Sequence, residues 1–410
     1  MDLPQDILEA IVDELEETKS LRAFCLVAPS FVQVGQARIF RAVQIQTHGF
    51  RKDGFRIMSP LQAERLFSVS PHLALYVQRL WIHIPRPRLP FDPHVPALQI
   101  PARAPDWYPP LQAILPAFSR VRELSISAPE GRRWGDLPEA LKDVMQGVMI
   151  LSTLQHLEFI TLSVPATLIT SVALSVPALS LDSVVIEEIR VQSSQMAVPK
   201  EAFGALTLRN ITESMVKFLA TPGALPSQRL SIIHPEKWAD ISKILTGTAA
   251  TLTQLCLRFH NSLGAGPLPR HGALRMLELD TSAGPAPYCL PNTLLALLRQ
   301  IPTVMPRLEH LTVNLTVATK LRSASKPREN VRWVDESAWV HDEPLDLGPV
   351  DSVYCRLRFD DYTRHDGPEQ VEERRELHES VSREFVQCMG EQLPALRDNG
   401  GLSFSRIPLR

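Results

Sequence analysis

The chain has 410 residues, 44% of them hydrophobic and 21% charged, with a net charge of −2. That length allows two or three domains and a sizeable core. The balanced charge excludes a broad cationic field for nucleic acid or an anionic membrane.

The first forty residues read as three short amphipathic helices. Pro4 suits a helix start, and Asp6 and Glu9 follow where the positive end of the helix dipole favours acids. Ile7, Leu8, Ile11 and Leu15 recur at helical spacing. Thr18 is expected to cap a second helix carrying Leu21, Phe24, Cys25 and Ala28, ended by Pro29, and Ser30 to cap a third with Phe31, Val34, Ala37 and Ile39. So small a unit cannot bury all these apolar side chains within itself, so some must meet other surfaces.

The order Leu3-Pro4-x-x-Ile7-Leu8, then Ile11, Leu15, Ser20-Leu21, Cys25-Leu26-Val27, Ser30-Phe31 and Arg38-Ile39-Phe40-Arg41 resembles an F-box. The resemblance covers roughly residues 1–45 and implies docking on the Skp adaptor of a cullin–RING ubiquitin ligase. The adaptor-binding residues it implies are Leu3, Pro4, Ile7, Leu8, Ile11, Leu15, Leu21, Leu26, Val27 and Phe31. Two positions depart from the family pattern: Phe31 stands where a tryptophan is usual, and Ala28-Pro29 replaces the frequent Cys-Arg or Ser-Lys. A scaffold whose F-box-like helices do not bind the adaptor is the alternative these departures leave.

Residues 46–76 read as a connecting loop and helix. Val43 to Ile45 forms a short strand before them, Thr47 to Gly54 a polar loop, and Pro60 to Val69 a helix. The passage from that helix into Ser70-Pro71-His72 and on to Leu80-Trp81-Ile82 is similar to the one following the F-box in many basidiomycete fungal F-box proteins.

From residue 77 to 410 an apolar residue recurs at n, n+3 and n+5. The copies are Val77/Leu80/Ile82, Val121/Leu124/Ile126, Leu154/Leu157/Phe159, Leu181/Val184/Ile186, Phe203/Leu206/Leu208, Leu252/Leu255/Leu257, Leu274/Leu277/Leu279 and Leu308/Leu311/Val313. Weaker copies stand at Leu230/Ile232, Leu357/Phe359 and Leu402/Phe404. Their middle residues lie 22 to 46 positions apart. Helical patterns fall between them at Leu137–Leu151, Glu213–Ala220, Glu236–Leu245, Asn292–Gln300 and Glu369–Leu393. The expected fold class is therefore α/β: an N-terminal three-helix F-box followed by an irregular leucine-rich-repeat-like β-α solenoid. Insertions at about 85–110, rich in proline with Trp107-Tyr108, and 316–352, with Trp333 and Trp339, read as loops. The uncharged run Phe159–Leu181 has a membrane span's length, but its two prolines and seven Ser or Thr residues argue against one.

No motif nominates an enzyme. Gly-x-Gly-x-x-Gly, Gly-Lys-Ser/Thr phosphate loops, His-Glu-x-x-His and Gly-x-Ser-x-Gly are all lacking, so no catalytic, metal or cofactor residue is assigned. The five cysteines are widely spaced without a Cys-x-x-Cys pair, which argues for a reducing compartment and against structural zinc. Met1 leads into an acidic helix rather than a signal peptide, leaving cytosol and nucleus equally open.

A different site follows from the alternation. With the n+3 and n+5 residues inward, their neighbours share one outer face. The residues expected there to hold a protein target are Trp81, His83, Glu158, Arg258, Glu278, Asp280, Arg356 and Arg358. The partners expected are thus a Skp adaptor, through it a cullin, and a protein substrate.

Overall fold

The computed structural model describes residues 4–15, 17–46, 54–85, 107–187, 203–260, 266–283, 292–319, 345, 347–348, 350–361 and 368–407. The chain forms two compact units, residues 1–194 with 212–215, and 195–211 with 216–410. This division falls inside the region expected as one repeat domain.

The first unit opens with α1 (Gln5–Glu14), α2 (Thr18–Cys25) and α3 (Pro29–Phe40). Leu8, Val12, Leu21 and Val34 form their buried core, with Leu15, Phe24, Phe31 and Ile39 packed around it. Neither expected cap is made: Thr18 is the first residue of α2, and no side chain caps α1, α2 or α3. Pro29 begins α3 instead, where its missing N–H costs nothing. Phe31 stacks on Phe24 with centroids 4.5 Å apart, so its ring sits against the helical core.

The chain continues through β1 (Ala42–Ile45), β2 (Arg56–Met58), α4 (Pro60–Val69) and a 3-10 turn at Pro71–Tyr76. Ser59 and Gln62 cap α4 reciprocally. Then follow β3 (Arg79–His83), α5 (Tyr108–Ile114), β4 (Glu123–Ser127), α6 (Glu139–Met149), β5 (His156–Ile160), β6 (Ser163–Pro165), α7 (Ala166–Ala173), β7 (Ala178–Asp182) and β8 (Val185–Glu187). Strands in the order β2-β1-β3-β4-β5-β7 pair in parallel, and β6 pairs with β8 in a separate small sheet. Intervening segments return the chain so that successive strands run the same way.

The chain continues with β9 (Phe203–Arg209), α8 (Glu213–Ala220, whose first three residues belong to the first unit), β10 (Ser227–Ile233), α9 (Trp238–Thr248), β11 (Gln254–His260) and β12 (Met276–Ala283). After these come α10 (Asn292–Leu298), α11 (Ile301–Val304), β13 (His310–Thr319), β14 (Ser352–Asp361), α12 (Pro368–Gln392), α13 (Pro394–Asp398) and β15 (Leu402–Ile407). Strands β9 to β15 pair in parallel in chain order. The fold is thus mixed α/β with extensive parallel sheet.

The n, n+3, n+5 pattern is the register of these ladders. Val43, Leu80, Leu124, Leu157 and Leu179 are aligned across the first unit, and Leu206, Leu230, Leu255, Leu277, Leu311, Val353 and Leu402 across the second. Apart from Leu402, whose burial is partial, each is buried, and each such aliphatic side chain contributes about 1.5–3 kcal/mol by leaving water. Three copies differ from the sequence reading. Phe40/Val43/Ile45 is an additional, fully buried copy. Leu181/Val184/Ile186 is replaced by Val176/Leu179/Leu181, because Val185–Glu187 leaves the main sheet to pair with β6. Leu357/Phe359 is replaced by Val350/Val353/Cys355, since β14 extends to ten residues and its pairing starts earlier.

Thr161, Ser183, Asn210 and His234 each adopt positive φ (44–53°) in the residue directly after β5, β7, β9 and β10. This left-handed step turns the chain out of the sheet without glycine. The uncharged run is divided among β5, β6, α7 and β7, and no helix among the described residues is long and apolar enough to cross a membrane. Tyr108, expected in a loop, opens α5 and accepts a 2.5 Å hydrogen bond from Arg132. Trp333 and Trp339 lie outside the described residues.

His271 is completely buried, and neither ring nitrogen has a hydrogen-bond partner among the described residues. Burial alone pushes its pKa down to about 4. Between pH 6.5 and 4 the native imidazole therefore stays mostly neutral while the unfolded chain's protonates, so stability falls as pH drops through that window. By pH 5 the loss reaches about 2 kcal/mol. Urea unfolding of wild type and His271→Leu at pH 7 and 5 checks this. The variant should lose less stability on acidification.

Candidate interaction surfaces

Two kinds of surface carry the residues singled out in the sequence. The first is the outer side of the N-terminal helices. On α1, a 3.6-residue period separates Leu8 and Val12, which point into the core, from Ile7 and Ile11, which are 45% and 39% exposed. Pro4 is also exposed, and Leu26 and Val27, at and beyond the end of α2, are 87% and 71% exposed. The residues implied by the F-box resemblance therefore divide. Leu8 and Leu21 are buried as structural core and cannot also present themselves to an adaptor, while Leu15 and Phe31 are half-buried against that core. Pro4, Ile7, Ile11, Leu26 and Val27 remain available, and Leu3 lies outside the described residues. Val12, a core member, was legible at i+4 from Leu8 but is not among the sequence-derived site residues.

The second kind of surface is the polar side of each parallel sheet. In the first unit, Gln44, Trp81, Ser125, Glu158 and Ser180 align across neighbouring strands, and His83 aligns with Ser127. Ser127 Oγ accepts from Trp81 Nε1 at 2.7 Å and also meets His83 Nδ1 at 2.9 Å. Burial holds the His83 pKa below the usual histidine value. Glu158 is buried to 7% exposure and accepts a 2.8 Å bond from Ser125. His156 meets Ser180 at 2.8 Å. The expected residues Trp81, His83 and Glu158 are thus brought onto one face, held by serines that the same alternation would have found.

In the second unit, Arg258, Asp280, Asn314 and Arg356 occupy one row of the sheet, with Cys256, Glu278, Thr312 and Tyr354 in the adjacent row. Arg258 Nε donates to Asp280 Oδ2 at 2.6 Å, and Asn314 Nδ2 to Glu278 Oε1 at 2.6 Å. The Arg356 guanidinium lies 4.8 Å from the centre of the Tyr354 ring, and His310 Nδ1 meets Ser352 Oγ at 2.8 Å. Arg358 is exposed one step further along β14. Cys256 is half-buried. Burial, with help from the Glu278 carboxylate, pushes its pKa up to about 11, so it is a thiol and a poor nucleophile at neutral pH. Among the described residues no group of three His, Cys, Asp or Glu side chains converges as a metal site would.

Because Arg258 is about half-exposed, its ion pair with Asp280 adds little to folding. Replacing both by alanine should change stability by less than about 1 kcal/mol, read from the midpoint of chemical unfolding. A larger loss would mean that the pair is structural rather than a free part of the face.

No family model matches the chain, and no curated protein matches it significantly.

Proposed function

We propose that the chain is the substrate-recognition subunit of an SCF-type (Skp–cullin–F-box) ubiquitin ligase. Its N-terminal helices dock on the Skp adaptor, and the strand–helix units, read as an irregular leucine-rich-repeat-like solenoid, hold a protein for ubiquitination. The observation that carries this reading is the division of the N-terminal helices into a buried core and a set of exposed apolar side chains. Ile7, Ile11, Leu26 and Val27 stay in water while Leu8, Val12, Leu21 and Val34 satisfy the packing. Exposed large apolar residues at these positions cost solubility unless a partner covers them. The F-box-like order of residues names that partner as the adaptor.

The polar sheet faces supply the second half of the function. Their side chains are mixed in charge and are held by hydrogen bonds across neighbouring strands, so less entropy is lost when a protein binds. The chain itself performs no covalent step; tethering a target beside the charged ubiquitin raises the effective concentration of its lysines. Co-expression with a fungal Skp adaptor tests the reading. A stable complex through size-exclusion chromatography is expected. A folded chain that forms none would overturn the ligase assignment and leave a scaffold.

A further inference from the structure

A cleft of about 1180 Å³ opens in the first unit, bordered by α2, α3, β1, β2, α4 and the start of β3. Among the described residues, Arg22, Arg38, Arg41, Arg56 and Arg79 line it with a single carboxylate, Glu123. Glu123 is already engaged, its Oε2 accepting from Arg79 Nε at 2.8 Å. Arg38 is paired with Asp13 at 3.4 Å. Arg22, Arg41 and Arg56 have no acidic partner among the described residues.

These guanidinium groups are held in place rather than scattered. Arg56 lies 4.2 Å from the centre of the Phe40 ring, and Arg79 lies 5.0 Å from that of Phe55. Arg56 is half-buried, and its charge is disfavoured first by that burial and then by the charge of Arg22. Like charges held together with no counter-charge among the described residues are costly, and an anion in the cleft relieves that cost.

We infer that this cleft binds a small ligand carrying two or more phosphate groups. A lone carboxylate would neutralise only one of the three unpaired arginines. Phosphate oxygens accept the paired N–H groups of a guanidinium two at a time, which suits arginine better than a point cation. The volume exceeds what one phosphate fills and lies just above the usual range of small-ligand sites, roughly 300–1,000 Å³. This assignment is independent of adaptor docking.

The test is calorimetric titration of the full chain with inorganic tripolyphosphate at constant ionic strength. Saturable single-site binding is expected. It should weaken roughly tenfold in Arg22→Gln and in Arg56→Gln, because each loses a charge-assisted contact. Arg133→Gln, whose guanidinium pairs with Glu187 at 3.5 Å outside the cleft, should bind as wild type does. Arg22 is exposed, so that variant keeps its fold, with circular dichroism as the check. No binding, or equal weakening by Arg133→Gln, would overturn the inference. So would binding of a doubly phosphorylated peptide without binding of tripolyphosphate, which would move the phosphate source from a small molecule to a protein.

Discussion

On the proposed adaptor-docking reading, an Ile7→Asp/Ile11→Asp variant is expected to lose the Skp adaptor while keeping its fold. Both side chains already meet water, so carboxylates there remove little packing. The first of the two new carboxylates would also stand near the start of α1, where the helix dipole favours an acid. In an apolar interface the outcome is different, since each carboxylate would be desolvated without a partner. That costs several kcal/mol per group, so two should weaken binding by at least about a thousandfold. Pull-down of the adaptor beside a thermal melt separates the two effects. Leu8→Ala provides the contrast: it removes a core side chain from the same helix and should cost about 2–5 kcal/mol of stability. If the double aspartate variant still captures the adaptor, docking does not use the exposed side of α1.

Gly247→Ala in α9 should destabilise the second unit by about 3 kcal/mol. In a solvent-facing helix the same exchange is favourable by up to about 1 kcal/mol, because alanine loses less backbone entropy. Here a Cβ at Gly247 would lie 2.1 Å from the Leu219 carbonyl oxygen and 2.9 Å from the Ala220 Cα. Those are backbone atoms at the end of α8, which no rotamer change can move aside. The glycine therefore sets how closely α8 and α9 approach. Gly147 in α6 has nothing within 4 Å of its would-be Cβ, and Gly147→Ala should be stabilising by about 0.5–1 kcal/mol. Opposite shifts of the urea midpoint in the two variants are the expected result, measured with m-values unchanged. A neutral Gly247→Ala would show that the helices separate at no cost.

The polar sheet faces were legible before any coordinates because side chains alternate with period 2. A copy misplaced by an even number of residues still assigns every side chain to the correct face. That is why Arg356 and Arg358 are read as outward even though the middle position of the β14 copy, aligned with Leu311, is Val353 rather than Leu357. Helices of strong periodicity were equally legible: Glu213–Ala220 coincides with α8, and Glu369–Leu393 with α12 to within one residue at each end. Less visible were the elements whose pattern is ambiguous. The short run Ala166–Ala173 is nearly all apolar or hydroxylated, so neither a 3.6-residue nor a 2-residue period stands out, and it forms α7.

Residue order by itself determined the alternation of strand and helix, the inward and outward sides of the strands, and the apolar character of the first three helices. These depend on local geometry, which composition and spacing encode directly. Only the tertiary structure decided which of the two apolar stripes of α1 is used internally, because that choice depends on where α2 and α3 pack. It alone paired Ser125 with Glu158 and Ser127 with His83, across strands separated by 33 and 44 residues. It also gathered Arg22, Arg38, Arg41, Arg56 and Arg79 around one cleft. No spacing rule connects such residues, since their proximity comes from the parallel sheet and the helices packed beside it.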